Sequence, residues 1–160
     1  MRKLFIIFVI YLFNTTPIFA EVVKKINISG NSRVNEETIK IYGGIKINDD
    51  YSEQDLNKIL NDLYSTNFFK DVRVELSNNN LNIYLIEHPV INELVIIGEP
   101  STKYKEQIKK IIRSKEKNSY IKSNVAKDID LIKQLYGSVG YNFSEVDVKI
   151  REIDKLNLDL

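Results

Sequence analysis

The apolar and polar positions of the chain follow one order twice, with about 70 residues between corresponding points. Val22 to Gly30 and Val90 to Gly98 each place apolar residues at alternate positions and end on glycine. Alternation predicts a strand with one buried face, and the glycine predicts the turn that follows it. In this alignment Ile26 corresponds to Leu94.

Two predicted helices follow each of these strands. Asn35 is a predicted N-cap of the first helix, and Ser101 or Thr102 takes that role in the second copy. The second helix begins at a capping-box pattern, Ser52 to Asp55, and Ser123 is the predicted cap of its copy. Apolar residues then recur at helical spacing on one face; they are Leu56, Ile59, Leu60, Leu63 and Tyr64 in the first copy and Leu131, Ile132, Leu135 and Tyr136 in the second.

A predicted hairpin completes each copy. Its alternating apolar positions are Val72, Val74, Leu76 and Leu81, Ile83, Leu85 in the first copy, and Val146, Val148, Ile150 and Leu156, Leu158, Leu160 in the second. Leu160 is thereby the predicted counterpart of Leu85. The sequence predicts an α+β fold of two tandem β-α-α-β-β units, residues 21–88 and 89–160, each a three-stranded sheet covered by two helices.

Residues 1–20 have the pattern of an export signal. Arg2 and Lys3 precede an unbroken apolar run of ten residues, Leu4 to Phe13, and a polar segment then leads to Ala20. We predict a signal peptide cleaved between Ala20 and Glu21, which places the remaining residues beyond the inner membrane. The apolar run is shorter than the roughly 20 residues that a membrane helix needs; an uncleaved signal anchor is the alternative.

Composition excludes several classes of function. The net charge is +1, cysteine is absent and His88 is the single histidine. Disulfides, thiolate zinc sites and multi-histidine metal sites are therefore excluded, and no run is basic enough to indicate nucleic-acid binding. Since no catalytic constellation or phosphate-binding glycine loop is present, we expect no enzyme activity, no cofactor, no metal and no small-molecule substrate. Glu87, His88 and Pro89 form the predicted joint between the units.

Three stretches, "ISGNSRV", "LYSTNFFKDVRVEL" and "LNIYLIEHPVINELVIIG", occur in an order that is typical of one family. They resemble polypeptide-transport-associated (POTRA) domains, most closely the first two of a BamA-type outer-membrane assembly protein. The family's Leu-Tyr pair is Leu63-Tyr64 here, and its usual glycine before an aromatic residue is Asn67, which tolerates the left-handed conformation. The family continues into further units and a membrane β-barrel, so the resemblance implies a fragment or a natural short form.

The resemblance implies a periplasmic scaffold on the outer membrane of a Gram-negative bacterium. Its expected partners are unfolded outer-membrane proteins, the lipoproteins of an assembly machine, and the outer membrane itself through a C-terminal barrel missing here. Clients would add as a strand to an exposed sheet edge, because an edge offers unpaired backbone groups. The implied edge residues are Lys70, Asp71, Val72, Arg73, Val74, Glu75 and Leu76 in the first unit and Glu145, Val146, Asp147, Val148, Lys149, Ile150 and Arg151 in the second.

Two other functions stay open at this point. One is an anchored cell-division protein of the FtsQ type, which carries one POTRA unit; the tandem units and the short apolar run count against it. The other is a two-partner secretion transporter, which also carries POTRA units.

Overall fold

The computed structural model describes residues 21–160, and the predicted signal peptide lies outside them. No helix within this range is long and apolar enough to cross a membrane. The elements in chain order are β1 (Glu21–Val22), β2 (Lys25–Ser29), α1 (Glu36–Gly43), β3 (Asp50–Tyr51), α2 (Glu53–Ser65), β4 (Phe69–Ser77), β5 (Asn80–Glu87), β6 (Val90–Ile91), α3 (Thr102–Ile111), α4 (Lys122–Ser138), β7 (Arg151–Glu152) and β8 (Asn157–Asp159).

The first unit is built on a three-stranded sheet in the order β2-β5-β4. The central strand β5 runs parallel to β2, with Ile26 opposite Leu81, and antiparallel to β4, with Leu76 opposite Leu81. The two residues that join β4 to β5, Asn78 and Asn79, have φ values of 51° and 61°. Positive φ at both central residues is the requirement of a type I′ hairpin turn. A small antiparallel ladder, β1 with β3, lies beside this sheet in sequence.

The helices of the first unit begin and end where their capping residues predict. The N–H of Thr38 donates to the side chain of Asn35 at 2.8 Å, and α1 ends at Gly44, which has a φ of 61°. The capping box of α2 is complete, because the N–H of Ser52 donates to Asp55 at 2.9 Å and the N–H of Asp55 donates to Ser52 at 3.3 Å.

The core of the first unit lies between the helix pair and one face of its sheet. Alternate residues of β5 and the apolar faces of α1 and α2 are buried there, which is the two-layer arrangement expected of an amphipathic sheet and helix pair. Asn67, in the turn between α2 and β4, has a φ of 59°, so it adopts the left-handed conformation expected of it. The core residues are Val23, Val34, Ile39, Ile45, Tyr51, Ile59, Leu63, Phe69, Val72, Leu81, Ile83 and Leu85.

The second unit repeats the topology with a much shorter sheet. Its order is β6-β8-β7, with β6 parallel and β7 antiparallel to the central strand β8. The strand predicted from Val90 to Gly98 forms regular pairing only at Val90–Ile91, because β8 offers few partner residues within the described chain. Ser101 caps α3 as predicted, whereas the prediction that Ser123 caps α4 is wrong: α4 begins one residue earlier, at Lys122, and has no side-chain cap.

The register of β8 corrects the alignment of the two hairpins. The N–H of Leu160 donates to the carbonyl of Glu93 at 3.0 Å, and the N–H of Val95 donates to the carbonyl of Leu160 at 2.9 Å, so Leu160 lies opposite Leu94. The counterpart of Leu94 is Ile26, which lies opposite Leu81. Leu160 therefore takes the place of Leu81, and the prediction that it matches Leu85 is wrong.

Candidate peptide-binding edge

β4 forms one edge of the first sheet. It pairs with β5 from Phe69 to Ser77, with an irregularity between Phe69 and Asp71. No strand within residues 21–160 pairs with its other side. The predicted residues from Lys70 to Leu76 therefore all lie on an open edge, and the opposite edge of the same sheet is β2.

The hairpin register determines which backbone groups of β4 point outward. Ser77 and Asn80 close a two-residue loop, and in such a hairpin the closing residues exchange hydrogen bonds. Bonded pairs then recur at every second position, which directs the backbone of Arg73 and Glu75 toward β5. The backbone groups of Val74 and Leu76 point away from the sheet, where an added strand would pair.

One outward position of β4 already has a partner. The N–H of Val72 donates to the hydroxyl of Tyr64 at 3.1 Å, and that hydroxyl donates to the carboxylate of Asp71 at 2.9 Å. Tyr64 lies at the end of α2, so the helix covers the start of the edge. The free donors of the edge are therefore those nearer the hairpin turn.

The side chains of β4 divide by face. Val72 is buried and Val74 is half-buried against the helices, whereas Arg73 and Glu75 are exposed on the other face, as predicted. The guanidinium of Arg73 lies 4.3 Å from the ring centre of Tyr84 on β5 and forms an ion pair with Glu75 at 3.4 Å. These charges are held on the sheet face, which leaves the backbone edge itself accessible.

The second predicted edge is largely not a strand. From Glu145 to Arg151, only Arg151 belongs to regular pairing, in β7. The physical reason is that β8 ends at Asp159 and gives the preceding residues no partner within the described chain. At the paired end, the Arg151 guanidinium donates to Asp159, which lowers the pKa of that carboxyl; Asn92 donates to it as well.

The predicted joint has different roles at its three positions. Glu87 is buried, and its carboxylate accepts the N–H groups of Ser32, Arg33 and Val34 at 2.9 to 3.1 Å. Glu87 therefore fixes the loop after β2 within the first unit. Sequence analysis missed this role, and the signal for it was a charged residue at a core position of an alternating strand.

His88 and Pro89 connect the two sheets. The N–H of His88 donates to the carbonyl of Phe68 at 2.9 Å, and the carbonyl of Pro89 accepts from Tyr120 at 2.7 Å. Burial and the charge of Lys70 lower the pKa of His88, although a backbone hydrogen bond with Tyr120 opposes them. Both residues of the joint are thus bonded to an element on their own side.

Tyr64 and its counterpart Tyr136 differ in what they bind. Both were assigned to apolar helix faces from the sequence, but the hydroxyl of Tyr136 donates to Glu99, before α3, and not to a strand edge. Burial and this carboxylate raise the pKa of Tyr136 to about 12. Only the first unit therefore has a tyrosine over its edge strand. No group of three or more metal-ligating side chains occurs within residues 21–160.

Comparison with known proteins places both units in one family. The POTRA family model, described as "Surface antigen variable number repeat", matches residues 21–87 and again residues 89–160. The N-terminal domain of Omp85 from the thermophilic cyanobacterium Thermosynechococcus elongatus has the same fold, with a TM-score of 0.54 at 15% identity over 86% of this chain and 60% of that one.

Two curated relatives have the same description, outer membrane protein assembly factor BamA. The protein from Neorickettsia risticii (strain Illinois) is 26% identical over 149 residues, which cover 93% of this chain and 20% of the relative. The protein from Neisseria meningitidis serogroup B is 36% identical over 76 residues, which cover 48% of this chain and 10% of the relative. The chain thus spans a fifth or less of these relatives' length.

Proposed function

Because the chain belongs to the POTRA family, with units of the BamA type, we propose that it is a periplasmic scaffold that receives unfolded outer-membrane proteins by strand addition to β4. The observation that carries the proposal is the open edge of β4, whose outward backbone groups at Val74 and Leu76 have no partner within residues 21–160. Backbone pairing is insensitive to most side chains, which suits a receptor for many different clients.

The length and position of the free edge support this mode of binding. An added strand would run beside the half of β4 near the hairpin turn, because Tyr64 occupies the N–H of Val72. β4 is nine residues long and lies on a sheet with a complete core. A rigid edge pre-organises the binding groups, which lowers the entropic cost of adding a client strand.

The proposal includes the partners that the BamA resemblance implies. We propose that the units dock the lipoproteins of an outer-membrane assembly machine, and that a C-terminal barrel joins them to the outer membrane. Export by residues 1–20 and the binding role of Glu145 to Arg151 belong to the same proposal. Truncating the first unit in a barrel-bearing protein should then reduce outer-membrane protein assembly in cells, and unchanged assembly would contradict this part.

Val74→Pro tests strand addition at β4 directly. Proline removes the outward N–H of Val74 and leaves every hydrogen bond from β4 to β5 in place, and edge strands tolerate proline at such a position. We expect photocrosslinking to a peptide from an outer-membrane barrel strand to fall about tenfold, from one lost hydrogen bond and the clash of the ring with the added strand. Circular dichroism should show that the unit remains folded.

Two further variants separate backbone effects from side-chain effects. Val74→Ala shortens the side chain but keeps the outward N–H, so crosslinking should persist. Glu75→Pro removes an inward N–H that bonds β5 and should destabilise the unit itself. Crosslinking by folded Val74→Pro at the level of the parent chain would rule β4 out as the binding edge.

A further inference from the structure

The second unit contains a cleft one strand wide. We define this slot by its two walls, Val95–Gly98 on one side and Glu145–Lys149 on the other; Leu160 lies at one end. The volume of the cleft is about 630 Å³. Its walls form no strand pairing with each other or with another part of residues 21–160 beyond the bond from Val95 to Leu160. Unused backbone groups therefore border the slot on both sides.

The first unit shows what fits between such walls. There, Asn82 to Glu87 continue the central strand past Leu81, the residue whose place Leu160 takes. These six residues pair with Asp71–Glu75 on one side and follow Asn27–Gly30 on the other. The corresponding segments of the second unit are the two walls of the slot. The matching occupant is thus a single extended strand of about six residues, parallel to one wall and antiparallel to the other.

The floor of the slot selects apolar side chains at alternate positions. It is lined by Ile108 and Ile112 from the first helix of the unit and by Val125, Ile129 and Ile132 from the second. In the first unit, the residues at the matching inward positions, Ile83 and Leu85, are almost fully buried against the helices. An occupant with apolar residues at the second and fourth positions would cover the floor in the same way.

Gly98 indicates that a backbone fits closely against this wall. Its counterpart Gly30 has a φ of 84°, and a Cβ there would lie 2.0 Å from the carbonyl oxygen of Leu85 on the central strand. Gly98 has nearly the same φ, 85°, yet nothing lies within 4 Å of the position of a Cβ. The space that a strand carbonyl takes in the first unit is open in the second.

The charges of the other wall favour a basic occupant. Asp147 takes the place of Arg73, and Glu145 that of Asp71; both carboxylate side chains are exposed. The occupant residues opposite them correspond to Tyr84 and Ile86, which point away from the helices. Oppositely charged residues at directly opposed positions stabilise an antiparallel pair.

We propose that the slot binds, in trans, an extended peptide of about six residues with apolar side chains at alternate positions and basic side chains between them. The peptide adds as the central strand of the second sheet, with both of its backbone edges paired. This site is separate from the outer edge of β4, and it would exist even if β4 bound no client.

Fluorescence anisotropy of a dye-labelled peptide, NIKLKE, with the purified 160-residue chain tests the proposal. This peptide keeps the apolar positions and the ends of Asn82 to Glu87 and places lysine opposite the two acidic residues. Its rearranged form NKILKE has the same composition, but its two apolar residues are adjacent and cannot both reach the floor. We expect saturable binding of NIKLKE and at least tenfold weaker binding of NKILKE; no binding of NIKLKE, or equal binding of the two, would overturn the proposal.

A matched pair of variants places the peptide in the slot. Gly98→Ala adds a methyl group where the peptide carbonyl would lie, and binding should weaken at least tenfold. Gly140→Ala introduces alanine at a similar φ of 96°, also with nothing within 4 Å and outside the slot, so it should bind as the parent chain does. Equal binding by the two variants would overturn the assignment.

Two more measurements distinguish the slot from the β4 edge. A chain with NIKLKE appended directly after Leu160 should no longer bind the free peptide, because the slot is filled in cis. A chain with Val74→Pro should bind it unchanged. Binding of the free peptide by the appended chain, or loss of binding with Val74→Pro, would place the peptide elsewhere and overturn the proposal, while leaving the client binding proposed for β4 to its own crosslinking test.

Discussion

Gly30→Ala, compared with Gly98→Ala, measures how closely the outer and central strands of the first sheet approach. The two glycines have φ values of 84° and 85° and hold corresponding positions, so alanine has the same backbone strain at both. That strain is about 1–2 kcal/mol for a residue with a Cβ in the left-handed region. The difference between the variants therefore comes from the surroundings alone.

Only Gly30 has a neighbour within reach. A Cβ at residue 30 would lie 2.0 Å from the carbonyl oxygen and 3.0 Å from the carbonyl carbon of Leu85, both backbone atoms of the central strand, so the strands must separate. Such overpacking adds about 1–3 kcal/mol. Gly30→Ala should therefore lower the free energy of unfolding of the first unit by about 2–5 kcal/mol, and Gly98→Ala that of the second by about 1–2 kcal/mol.

Urea denaturation followed by hydrogen exchange and mass spectrometry gives the stability of each unit separately. We expect Gly30→Ala to shift the exchange of β2 and β5 and to leave α3 and α4 unchanged. Equal losses of stability in the two variants would refute the close approach at Gly30, and a loss spread over both units would refute the view that each unit has its own core.

Three further outcomes follow from single contacts. Tyr64→Phe removes the acceptor of the Val72 N–H and opens one more edge position, so crosslinking of a barrel-strand peptide should rise, by about 1 kcal/mol or roughly fivefold; a fall would show that the tyrosine assists binding. Glu87→Ala leaves three backbone N–H groups without their buried acceptor and should cost the first unit about 3 kcal/mol or more in urea denaturation; a loss below about 1 kcal/mol would contradict the role of this carboxylate. Because Arg151 lowers the folded-state pKa of Asp159, its stabilising effect is present above the ordinary carboxyl pKa and is lost as the pH falls through the lowered value. Exchange in β7 and β8 should accelerate over that acidic range, and an Asp159→Asn chain that shows the same acceleration would refute the assignment.

The first unit was predictable from the sequence because its periodicity, caps and turns all indicate the same elements. The capping box at Ser52, the left-handed Asn67 and the inward Val72 each follow from local chemistry. Strands of the second unit were overextended, because alternation shows only that a segment is able to pair. Pairing itself requires a partner strand, and β8 is three residues long.

The misplacement of Leu160 has a related cause. Leu81 and Leu85 are four residues apart on one strand, so both point to the same face, and an alternating pattern fits equally well after a shift of an even number of residues. Only the hydrogen bonds of Leu160 determine the register. Tyr64 was missed for another reason: helical spacing describes the ring of a tyrosine but not the partner of its hydroxyl.

The parallel pairing of β2 with β5 sets the order in which the first unit can fold. Ile26 pairs with Leu81, 55 residues later, whereas β4 and β5 meet across a two-residue turn. Long-range pairing is slow because a large loop must close before the contact stabilises it. During synthesis β2 emerges first but has no partner until β5 follows, so the hairpin and the helices should form before β2 docks. β2 is then the last strand to gain protection, and its late arrival makes it the element most exposed to misassembly in the nascent chain.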